Sequence, residues 1–245
     1  MREAVSAEER LIATLRVLAT GRTYKDLKYI AAISPSLMST MIPETCAAVY
    51  NCLKKYIKMP ASEEQWKKVA TTFEETWNFP HCRGALDEKH VAINKPPGSG
   101  SLYFNYKKFF SVIMFALVDA NYRFMYIKTG INGSVSDSTV FESTKFCLGT
   151  VPLPGTDSEA PYVFLGDSAF ALNKHFMKPY TLKNISHDCR IFNYRLSRAR
   201  RDPRLQISHS AYTHCRQFGH FRPNNSCVLC SAQLFINIQP FIPTV

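Results

Sequence analysis

The sequence predicts an α+β protein, a mixed β-sheet with flanking helices preceded by a helical N-terminal region. Three observations carry this. Residues 7–79 repeat apolar side chains at helical spacing behind helix-start signals. From residue 82 to 129 the apolar residues come instead in strand-length runs, divided by the loop NKPPGSGS and the turn DANY. A further short apolar run, 162–165, then reads as a buried strand.

In chain order, residues 7–19 place Leu11, Leu15 and Leu18 on one helical face. Thr23 caps a second helix, with Asp26 three residues on in a capping-box arrangement and Leu27, Ile30 and Ala31 as the apolar face. Ser34 followed by Pro35 starts a short helix over 35–42 that turns Ser36, Ser39 and Thr40 outward. Three short helices with tight turns suggest a helix-turn-helix unit; a helical cap packed on the main domain is the alternative. Pro43 opens a longer helix, basic at its end through Lys54, Lys55 and Lys58. Ser62 caps the next, in which Trp66, Val69, Ala70, Phe73 and Trp77 form a core stripe.

Val91 and Ile93 alternate with Ala92 and Asn94, so Asp87 is carried on a strand. Residues 109–120 form a second strand too apolar to be half exposed, and 123–129 return as a third, giving a three-stranded antiparallel unit. Between the first two strands Tyr103, Phe104, Tyr106, Lys107 and Lys108 interleave aromatics with bases, as contacts to single-stranded or distorted nucleic acid require. A packed strand edge with solvated lysines is the alternative. Residues 130–138 read as a loop into a helix starting near Ser136 and Asp137, and 151–160 as a surface loop. Asp167 follows the strand 162–165 beyond Gly166, and 170–179 is expected to be a helix ended by Lys178 and Pro179.

Two strands ending in aspartates suit the carboxylate clamp that holds divalent ions in phosphoryl transfer. A lone strand-end aspartate would be satisfied by backbone donors; here there are two, Asp87 and Asp167. Residues 190–201 then turn sharply basic, with Arg190, Arg195, Arg198, Arg200 and Arg201 on a segment anchored by Phe192, Tyr194 and Leu196. A solvated helical face is one reading, and contact with a phosphate backbone is the favoured one.

The net charge of +11 over 245 residues attracts phosphate backbones or anionic membranes. Nucleic acid is the better fit, because no segment reaches about eighteen apolar residues and MREAVSAEER lacks the apolar core of a signal peptide. A soluble, intracellular protein is expected. The eight cysteines show no dense framework and read mostly as small buried hydrophobes. Near the C-terminus His214, Cys215, His220, Cys227 and Cys230 contain one C-x-x-C with nearby histidines. This is either a four-ligand zinc site or chance cysteines in an unstructured tail.

The segments GALDEKHV, SGSLYFNYKKFFSVIMFALVDANYRF, GSVSDSTVF, PYVFLGDSAF and FNYRLSRARR occur in this order. Together, over roughly residues 8–201, they resemble the Harbinger (PIF) class of transposases and their domesticated nuclease relatives. The resemblance implies a ribonuclease H-like DDE nuclease domain at 80–201, C-terminally incomplete, after a helical region at 1–79 and before an atypical, poorly structured tail at 202–245. It implies that Asp87 and Asp167 are catalytic and bind Mg²⁺ or Mn²⁺ for phosphodiester hydrolysis or strand transfer on DNA, with Asp137 a secondary metal candidate. It also implies that the helical region contacts DNA, with 35–42 as recognition helix and Ser36, Ser39 and Thr40 outermost. Nuclear localisation, with the cytoplasm as a further location, and a separate Myb-like DNA-binding partner protein are implied as well.

Two departures stand out. The family's third acid, a glutamate on a late helix, should follow RLSRARR by three residues, but Arg204 occupies that place. Pro203 interrupts the helix, and no Asp or Glu follows Asp202. Glu88 stands where the relatives carry glycine; on a strand it should point away from Asp87. The expectation is therefore a nuclease-type protein with impaired cleavage. A catalytically inactive domesticated DNA-binding or interaction protein is the alternative.

Overall fold

A computed structural model describes residues 4–20, 22–135, 150–152, 159–170, 172–181 and 185–200. The N-terminal helices are α1 (Ala7–Thr20), α2 (Tyr24–Ala31) and α3 (Pro35–Leu53). The expected caps are present. Thr23 and Asp26 form the reciprocal capping box, and the Ser34 hydroxyl accepts from Leu37 N at 3.2 Å. Ala13, Val17, Leu18, Leu27, Ile33, Met38, Met41, Ile42 and Cys46 close one buried cluster among the three helices.

Two expectations fail here. The helices predicted on either side of Pro43 are a single helix. Proline leaves the carbonyl of Ser39 without its helical donor, but residue 39 is exposed, so water can serve it. The continuous buried stripe Met38, Met41, Ile42, Cys46 holds both halves in line. The buried face of α1 is also rotated from the predicted one: Ala13, Thr14, Val17 and Leu18 are buried, whereas Leu11 is exposed. Small side chains at 13 and 14 let α1 approach α3, and the Thr14 hydroxyl donates to Arg10 O at 2.8 Å, so its polarity is met inside the helix. Leu11 and Leu15 line a groove with Val49 and Leu53 instead.

The fourth helix, α4 (Glu63–Trp77), keeps its predicted cap at Ser62 and its core stripe. Phe73 is fully buried, Trp66 meets Phe164 edge-on at 6.3 Å, and Trp77 Nε1 donates to Ala120 O at 2.9 Å. The sheet follows. Strands β1 (Cys82–Ala92), β2 (Ser111–Val118) and β3 (Phe124–Asn132) form the predicted antiparallel unit, turned at Asp119, whose Oδ1 accepts from Asn121 N and Arg123 N. A two-stranded ribbon of β4 (Thr150–Pro152) and β5 (Glu159–Pro161) brackets the segment expected to be only a loop. Strand β6 (Val163–Leu165) pairs in parallel with the other side of β1, and β7 (Phe176–Met177) with β6, giving the order β3-β2-β1-β6-β7.

Strand β7 corrects the helix predicted over 170–179. Phe170 and Phe176 stack at 4.8 Å beneath the sheet, and the Asn173 side chain accepts from His175 N to turn the chain back onto β6. Burial of those two rings outweighs the local pattern. The last described helix, α5 (His187–Arg200), lies over the other face. Alternation divides the sheet cleanly. Ala85, Val91, Met114, Ala116 and Leu165 join Leu196 and Ala199 of α5 on one face; Leu86, Phe115, Leu117, Phe164, Phe170 and Phe176 share the other. Among the described residues no helix is long and apolar enough to cross a membrane.

Gly166 marks where β6 hands over to Asp167, and its vacant side-chain position is filled by the ring of Phe176, with Phe170 behind it. Gly166→Ala should therefore destabilise the fold by about 1–3 kcal/mol through overpacking. Urea denaturation checks this; an unchanged midpoint would contradict the packing of β7 against β6.

Candidate active site

The site is set by strand register. In the parallel pairing of β1 with β6, Ala85 lies opposite Leu165, and each strand continues two residues to an aspartate, Asp87 on one and Asp167 beyond the other. Adjacent strands run about 4.8 Å apart, so equal offsets bring the two carboxylates side by side. Parity puts both on the face of Ala85 and Leu165, under α5, while Gly166 faces the Phe176 layer. Strand β6 ends at this point, so beyond it β1 has only β2 alongside among the described residues. Asp167 thus stands just beyond the carboxyl end of β6, and Asp87 lies within β1 where its parallel pairing with β6 ends.

Helix α5 supplies the roof. Leu196 and Ala199 are buried against the Asp87 face, and the end of the helix carries the Arg200 guanidinium into the field of Asp87. Burial pushes the Asp87 carboxyl up to about 6; the Asp167 charge adds to the rise, while Arg200, the backbone at Glu88 and Lys89 oppose it. Lys89, two residues along the same strand face, is lowered by its own burial, and the Asp87 charge works against that lowering. Asp167 is half-buried, and its Oδ1 accepts from Ala169 N at 3.0 Å. A carboxylate held partly out of water beside a second one favours any cation that reaches both.

Glu88 points to the opposite face, as the strand alternation requires. There Glu88 Oε1 lies 3.7 Å from His90 Nε2, His90 Nδ1 lies 2.9 Å from Ser111 Oγ, and Asn105 Nδ2 donates to that hydroxyl at 2.8 Å. Asn105 Oδ1 in turn accepts from Phe109 N at 3.2 Å. This buried polar chain fastens the loop before β2 to the strand that carries Asp87. The loop presents Tyr106, 76% exposed, with Lys107 Nζ 5.3 Å from its ring, and Lys108 exposed beside it. Tyr103 and Phe110 pack on the core, as the packed-edge reading expects, while Tyr106 and the lysines face solvent. Nothing in the periodicity singled out the network, although His90 and Ser111 are polar residues in apolar strands.

The remaining candidates are spread over the molecule. Arg195 lines an apolar cleft of about 440 Å³ with Phe79, Val163 and Ile191, at the end of β6 away from Asp167. Arg198 lies 5.7 Å from the Trp77 ring and 5.8 Å from that of Tyr194. Phe192 and Leu196 anchor α5 as expected, but Tyr194 does not: it is 61% exposed, on the helix face turned from the sheet. Ser36, Ser39 and Thr40 are exposed on α3. Asp137, Arg201, Arg204 and the cysteines and histidines of the tail lie outside the described residues. Of four described cysteines, Cys46 and Cys82 are buried, with thiols pushed up by burial, whereas Cys52 is exposed and Cys189 intermediate.

Among the described residues no group of three or more His, Cys, Asp or Glu side chains is gathered as a metal site. Asp87 and Asp167 offer hard oxygen donors of the kind Mg²⁺ and Mn²⁺ take, with water completing the shell. The pair fits one such ion; a second would need donors from elsewhere.

Residues 86–202 match the protein family described as DDE superfamily endonuclease. The chain is 25% identical to "Protein ALP1-like" of Arabidopsis thaliana, over 83% of this chain and 52% of that protein. It is 25% identical to "Putative nuclease HARBI1" of Rattus norvegicus over 88% of this chain and 59% of that protein, and 26% identical to its human namesake over 72% and 49%. The chain spans about half the length of the curated relatives it matches. No solved structure matches it. The resemblance to Harbinger-derived nucleases drawn from the motifs stands on these matches.

The raised Asp87 carboxyl has a sign. The folded state holds this proton more tightly than the unfolded chain, so stability falls as pH rises from about 4 to 6 and stays lowered above. In chelator-containing buffer, Asp87→Asn should be more stable than wild type by about 2–3 kcal/mol at pH 8, and the gain should fade by about pH 4. Urea denaturation across that range checks it; a pH-independent difference would contradict the burial of the carboxyl.

Proposed function

From the match of residues 86–202 to the DDE superfamily endonuclease family, we propose that this is a transposon-derived nuclease-type protein acting on DNA phosphodiesters with one divalent ion, Mg²⁺ or Mn²⁺, at Asp87 and Asp167. The observation that carries the reading is the shared register of the two aspartates at the end of the β1–β6 pair. A divalent ion held there supplies a Lewis acid for a phosphoryl oxygen and lowers the pKa of a bound water. The chain's own residues do the rest. Asp87 and Asp167 anchor the ion, and Arg200 at the end of α5 adds positive charge where a phosphate backbone would lie.

Cleavage is impaired in this reading because Arg204 stands where the family's third acid is expected. If the absent ligand removes about 4 kcal/mol of transition-state stabilisation, turnover falls about a thousandfold. A second reading, a catalytically inactive DNA-binding or interaction protein, is favoured by one observation: the carboxylate pair has cationic neighbours, Lys89 and Arg200, and no third acidic ligand among the described residues. In either case the N-terminal helices are read as a DNA-contacting helix-turn-helix unit. The short turn at Ala32 between α2 and α3, left-handed at φ 54°, and the exposed hydroxyls of Ser36, Ser39 and Thr40 support that. Nuclear localisation and a Myb-like partner belong to the same proposal.

Calorimetric titration of Mn²⁺ tests it. Wild type should take up one ion, Asp87→Ala none, and Arg204→Glu two, with Arg204→Glu cleaving supercoiled plasmid about a thousandfold faster than wild type. Vigorous metal-dependent cleavage by wild type, abolished by Asp87→Ala, would overturn the impairment. Absence of Asp87-dependent ion uptake would leave the non-catalytic reading in front.

A further inference from the structure

We propose that Lys89 is a substrate-contacting residue of this site: its ammonium group neutralises the phosphate that the Asp87–Asp167 pair engages, taking the place of a second cation. The inference rests on the nuclease reading above and gives a role to a residue of the GALDEKHV segment that had none.

Strand geometry carries it. Asp87 lies opposite Ala116 and Lys89 opposite Met114 on β2, and both β2 residues belong to the face covered by α5. Asp87 and Lys89 therefore project from the same side of β1, about 7 Å apart along the strand. A phosphate engaged by Asp87 would therefore lie on the strand face that also carries the Lys89 ammonium. Lys89 also sits beyond the end of β6, on the stretch of β1 whose far edge has no neighbouring strand among the described residues. Its stem is half-buried on the sheet, which fixes where the head group can reach. Asp87 is its electrostatic partner, so the lysine is already inside the field of the acid pair.

Charge balance explains why a lysine belongs here. A phosphodiester in transfer develops charge on its non-bridging oxygens, and stabilisation comes from cations preorganised around it. With two acids and one divalent ion the site is neutral, and the phosphate's own charge remains to be met. Lys89 and Arg200 approach the acid pair from two elements, β1 and α5. Of these, Lys89 is fixed on the rigid central strand, whereas Arg200 ends its helix. Glu88, between Asp87 and Lys89, is turned away and held by His90, so the strand offers acid and base alternately to the two faces.

Two binding measurements test it without requiring turnover. First, Mn²⁺ is titrated into wild type, Lys89→Met and Lys89→Arg. Removing a cation from beside the acid pair should tighten Mn²⁺ binding by about three- to tenfold in Lys89→Met and leave Lys89→Arg near wild type. Second, a fluorescent 20-base-pair duplex is titrated in Ca²⁺ at several salt concentrations. Lys89→Met should weaken binding and reduce the slope of log K against log salt by about 1, with Lys89→Arg restoring it. Unchanged Mn²⁺ affinity or an unchanged salt slope in Lys89→Met would overturn the proposal. If wild type itself binds neither Mn²⁺ nor the duplex, the nuclease reading fails first, and that failure is seen in wild type rather than in the variants.

Discussion

The parallel pairing of β1 with β6 is the constraint on which the rest depends. It is short, but its register decides which side chains meet. With Ala85 against Leu165, two aspartates about eighty residues apart in sequence come to equal offsets on one face. A slip of one residue would turn one of them into the Phe115–Phe164–Phe176 layer, where an unpaired carboxylate would be costly. Fully buried β2 fixes β1 from the other side, and the Phe170–Phe176 stack locks β6 and β7 from below. The hydrophobic layers therefore specify the position of charges that they do not themselves contact.

Charge is then distributed around the acid pair in a consistent way. Burial disfavours the ionised Asp87 carboxyl and Asp167 adds repulsion, while Arg200 and Lys89 offset part of both. Such a site attracts cations and resists a second anion, the property expected of a place where a metal ion and a phosphate meet. On the reverse of the same strand, the Glu88, His90, Ser111 and Asn105 chain ties the aromatic and basic loop to β1. The strand thus connects the face of the acid pair to a loop that presents Tyr106, Lys107 and Lys108.

Much of this was legible in the sequence, because it follows from local periodicity. Alternation at Val91 and Ile93 placed Asp87 on a strand, the apolar run before Gly166 placed Asp167 at another strand's end, and the helix caps were plain in Thr23, Ser34 and Ser62. What the sequence did not reveal depends on contacts between distant residues. The continuity of α3 through Pro43 is held by burial against α1 and α2. The strand at Phe176 exists because Phe170 and Phe176 have a layer to fill, which outweighs a helix-like pattern. Tyr194 faces solvent because Phe192 and Leu196 already use the face of α5 that meets the sheet. Lys89 carried a signal that went unread: a base two residues after the acid on a strand must share its face.

Asp87 and Asp167 are proposed to hold one divalent ion jointly. Paramagnetic broadening of amide resonances by Mn²⁺ tests it most directly, because it reports where the ion sits rather than only that it binds. Broadening is predicted to centre together on residues 85–89 of β1 and 165–168 after β6, and to vanish from both stretches in Asp87→Asn. Broadening confined to one stretch, or centred elsewhere on the chain, would contradict the account.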